Sequence, residues 1–260
     1  MIPWRAIAIA TLLAGAAEAL LAGDIPPEAR RSGYSFMGPD TRAMQDDDTS
    51  NPGMLFVLEG EALWAKKFGS VGKACADCHG DARSSMKDVA ARYPAFDKAL
   101  GRPVTLDQRI NLCRANRQQA TPLPYESRHL LALSAFIAHQ SRGAPITAGD
   151  DPQAKPFVAQ GRALYMQRQG QLNLACTNCH DDNFDNRLAG APITQGQPTG
   201  YPLYRLEWQT LGSLERRLRN CMNGVRAQAY DYGSPELVAL ALYLMSRARG
   251  LPMETPAVRP

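Results

Sequence analysis

The sequence predicts a mainly α-helical protein, built as two tandem domains from a duplication and preceded by an irregular N-terminal extension. Three observations predict it. The six cysteines fall into two sets of three, Cys75, Cys78 and Cys113, then Cys176, Cys179 and Cys221. The close pairs lie 101 residues apart and the lone cysteines 108 apart. The flanking sequence repeats as well: GEALWAKKFGSVGKACADCH resembles GRALYMQRQGQLNLACTNCH, and LLALSAFIAHQSRGAPI (Leu130–Ile146) resembles LVALALYLMSRARGLPM (Leu237–Met253). Within these stretches the apolar residues recur at helical spacing. Two copies with so long a period indicate a duplicated domain, not a solenoid.

The elements follow in order. Residues 1–22 read as a signal peptide, with Arg5 as the positive region, Ala6–Ala17 as the apolar run, and cleavage after Ala19 or Ala22. The run is short for a membrane span and Glu18 interrupts it. The expectation is an exported, periplasmic chain with no stable membrane insertion, an uncleaved membrane anchor being the alternative. Residues 23–55, with QDDDTSNPG, carry turn and acidic character and no period, and form the extension. Domain 1 spans 56–145, with helices over 59–67 and 130–141. Residues 146–156, inside GAPITAGDDPQAKPF, form the linker. Domain 2 spans 157–260, with helices over 160–168 and 236–248, and about seven extra residues around AGAPITQGQPTGYP. Ser234-Pro235-Glu236 is a helix start with Ser as cap and Pro in the first turn. Arg247, Arg249 and Gly250 supply the stop.

The composition sets limits. The chain has 260 residues, 45% hydrophobic and 21% charged, and a net charge of +4. That suits one large domain or two small ones of roughly 100 residues each and does not suggest disorder. No Lys/Arg block of the nucleic-acid-binding kind is present. The modest positive field favours anionic substrates or acidic protein partners.

CADCH (Cys75–His79) and CTNCH (Cys176–His180) are c-type haem attachment motifs. In each, two thiols bond the haem vinyl groups and the adjacent histidine ligates the iron. Cys75, Cys78, Cys176 and Cys179 are therefore the attachment residues, with His79 and His180 as axial ligands of two covalent haem c groups. A zinc site would leave ligands unexplained, and a thioredoxin-like pair needs a βαβ context that is absent. Helices before and after each motif match a class I-like cytochrome c domain. For the opposite face of each iron, no Met repeats after the motif, and His129 and His139 occur in the first copy alone. The residues that do repeat are Cys113 in QRINLCRANRQ and Cys221 in RRLRNCMNG. Thiolate ligation is favoured, since arginines stabilise a thiolate and each cysteine keeps its station after its own haem. A Cys113–Cys221 disulfide and two buried thiols are the alternatives. Thiolate ligands would lower both potentials.

The paired CxxCH motifs, Cys113, the arginine-flanked Cys221, and the segments RSGYSFM, NPGMLFVLEGEALW, GKACADCHG, YGSPELVALALYL and SRARGLP resemble the SoxA family. These are dihaem cytochrome subunits of SoxAX complexes in bacterial thiosulfate oxidation. The resemblance implies L-cysteine S-thiosulfotransferase activity, joining thiosulfate to a cysteine of the SoxYZ carrier. Electrons would leave through a SoxX-like monohaem cytochrome c subunit to a soluble cytochrome c. It also implies that Cys221 ligates the second haem and is the catalytic residue, carrying an extra sulfur. Cys113 would ligate the first haem, and Arg217 would bind substrate, with Arg219 a weaker candidate. Competing readings are a dihaem thiosulfate dehydrogenase making tetrathionate, a plain electron-transfer cytochrome, and a dihaem peroxidase, which would need an open iron.

Overall fold

A computed structural model describes residues 25–260 of the chain, so the expected signal peptide lies outside the described residues. The extension carries two short 3-10 turns, Pro27–Ala29 and Gly33–Phe36, and then a helix, α1 (Pro39–Asp46). No helical period is readable here because eight residues are too few to show one. Its start is local: Pro39 occupies the first turn, where a missing N–H costs nothing. The first domain holds α2 (Met54–Ala65), the one-turn α3 (Ala76–His79), α4 (Ala82–Ser85), the hairpin β1 (Ala95–Asp97) and β2 (Arg102–Val104), then α5 (Leu106–Cys113) and α6 (Arg128–His139). The second repeats this order with α7 (Lys155–Met166), α8 (Cys176–His180), a small added hairpin β3 (Arg187–Leu188) and β4 (Ala191–Pro192), β5 (Leu203–Arg205), β6 (Thr210–Gly212), α9 (Leu214–Gly224) and α10 (Pro235–Arg247). The added hairpin falls in the extra residues of the second copy. A last strand, β7 (Val258–Arg259), pairs parallel to β5.

Each domain is held by one helix crossing, α2 on α6 and α7 on α10. The crossings need glycine at the same station. A Cβ on Gly60 would lie 2.1 Å from the Ala132 carbonyl oxygen, and one on Gly161 2.0 Å from that of Ala239. Helix backbones meet this closely only where one side has no side chain. Leu130, Leu133, Leu237 and Leu242 are almost wholly buried along the crossing partners. The Ser234 cap accepts a hydrogen bond from the Leu237 N–H, and α10 closes before Gly250 at φ 86°.

The repeats pack on one another about their own repeated tails. Gly143 N–H donates to the Met253 carbonyl, Met253 N–H to Ala144, Ile146 N–H to Leu251 and Gly250 N–H to Ile146. Ile146, Ala148, Met245, Ala248 and Met253 form the buried core of this seam. Part of the stretch expected as linker is thus core. Beside the seam, a cavity of ≈ 650 Å³ takes in Asp107, Ser134, Tyr201 and Glu215.

The extension wraps the second domain. Arg31 pairs with Asp185 at 2.8 Å, Gln195 donates to the Ala29 carbonyl, and Asn51 donates to Pro256. Gln45 accepts the Val258 N–H and also holds Arg259. Among the described residues, no helix is long and apolar enough to cross a membrane.

Candidate functional site

The second domain encloses a cleft of ≈ 1080 Å³ lined by Cys176, His180, Arg205, Arg217 and Cys221, with Phe36 and Met37 contributed by the extension. Three local structures deliver these side chains. The CTNCH segment coils into α8, where Asn178 accepts the Ala175 N–H and fixes the first turn. One turn of helix then sets both thiols and the imidazole side by side. The Ser213 hydroxyl caps α9 by accepting the Arg216 N–H, and α9 carries Arg217 and Cys221 four residues apart, on one face. The β5 strand ends in Arg205.

The His180 ring is oriented from behind. Its Nδ1 meets the Thr194 carbonyl at 2.7 Å, so Nδ1 is the protonated nitrogen, and the imidazole also hydrogen-bonds Cys221. Burial alone would push the Cys221 thiol up. The His180 hydrogen bond and the charges of Arg217 and Arg205 outweigh it and bring Cys221 to about 7. Cys176 stands at the other extreme, pushed up to about 12 by burial and then by Cys221. Beside His180, Asp181 accepts from Tyr165 at 2.8 Å and pairs with Arg247 at 2.6 Å; the Arg247 side chain is 4% exposed and lies over the Tyr165 ring.

The first domain gathers its set in the same manner. Burial, and then Cys113, raise Cys75; burial raises Cys113, with Arg109 and Arg117 opposing. Trp64 replaces Tyr165 and donates to the Gly80 carbonyl at 3.0 Å, its ring 5.7 Å from that of His79. All six cysteines are free thiols, and Cys113 and Cys221 lie in separate clusters, each beside its own CxxCH. The alternative disulfide is not formed. His129 sits by Glu59, and burial lowers His139 among Arg142, Asp48 and Glu61, so both are ordinary residues of α6.

The residues present fit haem c. Each CxxCH segment offers two thiols and an imidazole, a cysteine stands on a nearby helix, and the second cleft is large and apolar in part. Gln197 lines that cleft, 7% exposed, with neither side-chain polar atom partnered. Such an orphaned amide marks a wall that a bound group completes.

The structure separates the arginines of RRLRNCMNG. Arg217 lines the cleft. Arg216 stacks on Trp208 at 4.2 Å, and Arg219 lies 4.5 Å over Tyr232 and donates to the Tyr230 carbonyl. Arg219, the weaker candidate for anion binding, is thereby tied elsewhere. Sequence reading missed Arg205, Tyr201 and Gln197. A signal for Arg205 existed: YPAFDKALGRPVTLDQRINLC (93–113) and YPLYRLEWQTLGSLERRLRNC (201–221) have equal length and fold alike, strand on strand and cap on cap.

Known proteins share this arrangement. The family model described as SoxA/TsdA, cytochrome c domain, matches residues 59–146 and 160–253. The chain is 41% identical over 229 residues to the L-cysteine S-thiosulfotransferase subunit SoxA of Rhodovulum sulfidophilum, covering 88% of this chain and 80% of the relative. It is 39% identical, over the same shares, to the corresponding subunit of Pseudaminobacter salicylatoxidans. Among solved structures, the crystal structure of SoxXA from P. pantotrophus matches with a TM-score of 0.85 at 33% identity, covering 88% of this chain and 86% of that one.

Proposed function

From the premise that the chain belongs to the SoxA/TsdA cytochrome c family, and within it to the SoxA subunits of L-cysteine S-thiosulfotransferases, we propose that Cys221 is its reacting sulfur and Arg217 its anion-binding residue. The chain is a thiosulfotransferase subunit and carries covalently attached haem c. Our reading extends this to two haems. Cys75, Cys78, His79 and Cys113 would hold the first; Cys176, Cys179, His180 and Cys221 would hold the second. The mature protein works in the periplasm with a SoxX-like monohaem cytochrome subunit. It conjugates thiosulfate to a cysteine of the SoxYZ carrier, and electrons pass to a soluble cytochrome c.

The observation that carries this reading is a cysteine and an arginine in one enclosed cleft, the arginine without an ion pair among the described residues. The reaction makes a sulfur–sulfur bond from two reduced sulfurs. A carrier thiol and thiosulfate become the S-thiosulfonate, with release of one proton and two electrons. Arg217 can grip two sulfonate oxygens at once and hold the outer sulfur near Cys221. His180, held through Thr194, keeps its second nitrogen on the Cys221 side. The cleft walls, including Phe36 and Met37, keep bulk water from the reacting sulfurs. Haem c, when bound, supplies an acceptor for single electrons beside the sulfur.

The test is Cys221→Ala in the haem-loaded complex. Mass analysis of the carrier should show no added thiosulfate, while both haems stay covalently attached. Full conjugation by this variant, or tetrathionate formation in place of the carrier adduct by the unaltered complex, would refute the reading.

A further inference from the structure

Among the charge differences between the repeats near the lone cysteine, one concerns the partner of the arginine that precedes it. In the first domain, Arg109 precedes Cys113 by four residues on α5, as Arg217 precedes Cys221 on α9. Arg109 is neutralised, its Nη2 lying 2.5 Å from Oδ2 of Asp97, whose side chain is 9% exposed. Asp97 closes β1, directly before the turn that leads to β2. The matching residue of the second domain, at the end of β5, is Arg205. The exchange replaces the carboxylate partner of one arginine with a second guanidinium. Arg205 and Arg217 line the same cleft as Cys221.

Arg205 is also held in place. Its Nε donates to the Pro260 carbonyl oxygen at 2.8 Å, its guanidinium lies 5.2 Å over the Trp208 ring, and Glu207 approaches Nη2 at 2.9 Å. Glu207 is 64% exposed whereas Arg205 is 12% exposed, so solvent weakens the opposing charge more than the guanidinium. Arg217 makes no salt bridge among the described residues and can turn toward a ligand. A fixed and an unanchored guanidinium on one cleft suit a small doubly charged oxyanion better than a monoanion.

We propose that Arg205 is a second substrate-binding residue, and that the Asp97-to-Arg205 exchange between the repeats is what makes the second sulfur site, and not the first, select the thiosulfate dianion. The proposal rests on the reading of Cys221 and Arg217 given above.

The experiment is steady-state conjugation of thiosulfate onto the carrier by the haem-loaded complex, comparing Arg205→Asp, Arg205→Gln, Arg205→Lys and Arg217→Gln. Visible spectra establish that both haems remain attached. Arg205→Asp rebuilds the first-domain pair around Arg217 and should raise KM for thiosulfate at least about 100-fold, with kcat within roughly threefold. Arg205→Gln should raise KM about 10-fold, and Arg205→Lys should recover most of that loss. If Arg205→Gln keeps the wild-type KM while Arg217→Gln raises it, the role of Arg205 is overturned and the site reading stands. If both keep it, both fall. A loss confined to kcat, with KM unchanged, also overturns a binding role. Arg205→Gln and Arg205→Lys keep the test decisive should Arg205→Asp fail to fold.

Discussion

Glu215→Gln should leave the protein no more stable at pH 5 and markedly more stable at pH 8.5. Glu215 lies in the first turn of α9, 5% exposed, with one oxygen accepting the Gly233 N–H at 2.7 Å and the other unpartnered. Burial, with Asp107 and Glu126 adding like charge, pushes its carboxyl from 4.5 up to about 7. Asp107, bonded to Ser134, is pushed up to about 6 by burial in the same cavity. A carboxyl raised on folding binds its proton more tightly folded than unfolded. Its ionisation costs nothing below pH ~4.5, grows as pH rises, and is complete above about 7. The rise from 4.5 to about 7, at about 1.4 kcal/mol per unit, gives a penalty of roughly 3 kcal/mol above neutrality. Glutamine keeps the acceptor for Gly233 and removes the charge. For a chain of 260 residues the gain at pH 8.5 is a Tm rise of roughly 5 °C. Scanning calorimetry of the haem-loaded chain at both pH values measures it. A Tm shift of the same size and sign at pH 5 and 8.5 would show that Glu215 is not held protonated, and the reasoning would fail.

Two further outcomes follow from packing. Gly161→Ala puts a Cβ where the Ala239 carbonyl oxygen stands 2.0 Å away, so α7 must leave α10; denaturant unfolding should show a loss of about 3 kcal/mol or more. Arg219→Ala removes the contacts to Tyr230 and Tyr232, and should cost about 1 kcal/mol of stability while leaving KM for thiosulfate within about twofold.

How far the sequence reached depends on how local each signal is. The helices at the crossings were legible because buried leucines recur along them, and the Ser234 start and Gly250 stop are local chemistry. The CxxCH segments were legible because three groups within five residues need no tertiary information. Cys113 and Cys221 were legible through the repeat. Arg217 was singled out in RRLRNCMNG through the resemblance, with Arg219 as a weaker candidate, since the string by itself does not say which arginines of α9 meet the cleft. The extension was the least legible part. Phe36 and Met37 reach the site only because Arg31 and Gln45 are bonded to residues about 150 to 210 positions away, and no local period encodes that.

The geometry also says what an occupied site does for stability. Placing Arg205 and Arg217 on one cleft is unfavourable in itself: burial, and then the neighbouring Arg217, lower the Arg205 pKa. Cys221 answers one of these charges and the exposed Glu207 answers the other weakly. The first domain meets no such cost, because Asp97 satisfies Arg109 internally. An anion entering the second cleft therefore gains twice, from the hydrogen bonds it accepts and from the repulsion it relieves. In the first domain Asp97 answers one of the two arginines near Cys113, the exposed Arg117 being the other, and sets a carboxylate against an incoming negative charge. The duplicated frame thus keeps thiols, imidazole and lone cysteine in register in both halves, while the exchange of Asp97 for Arg205 at the strand end adds positive charge beside the second lone cysteine.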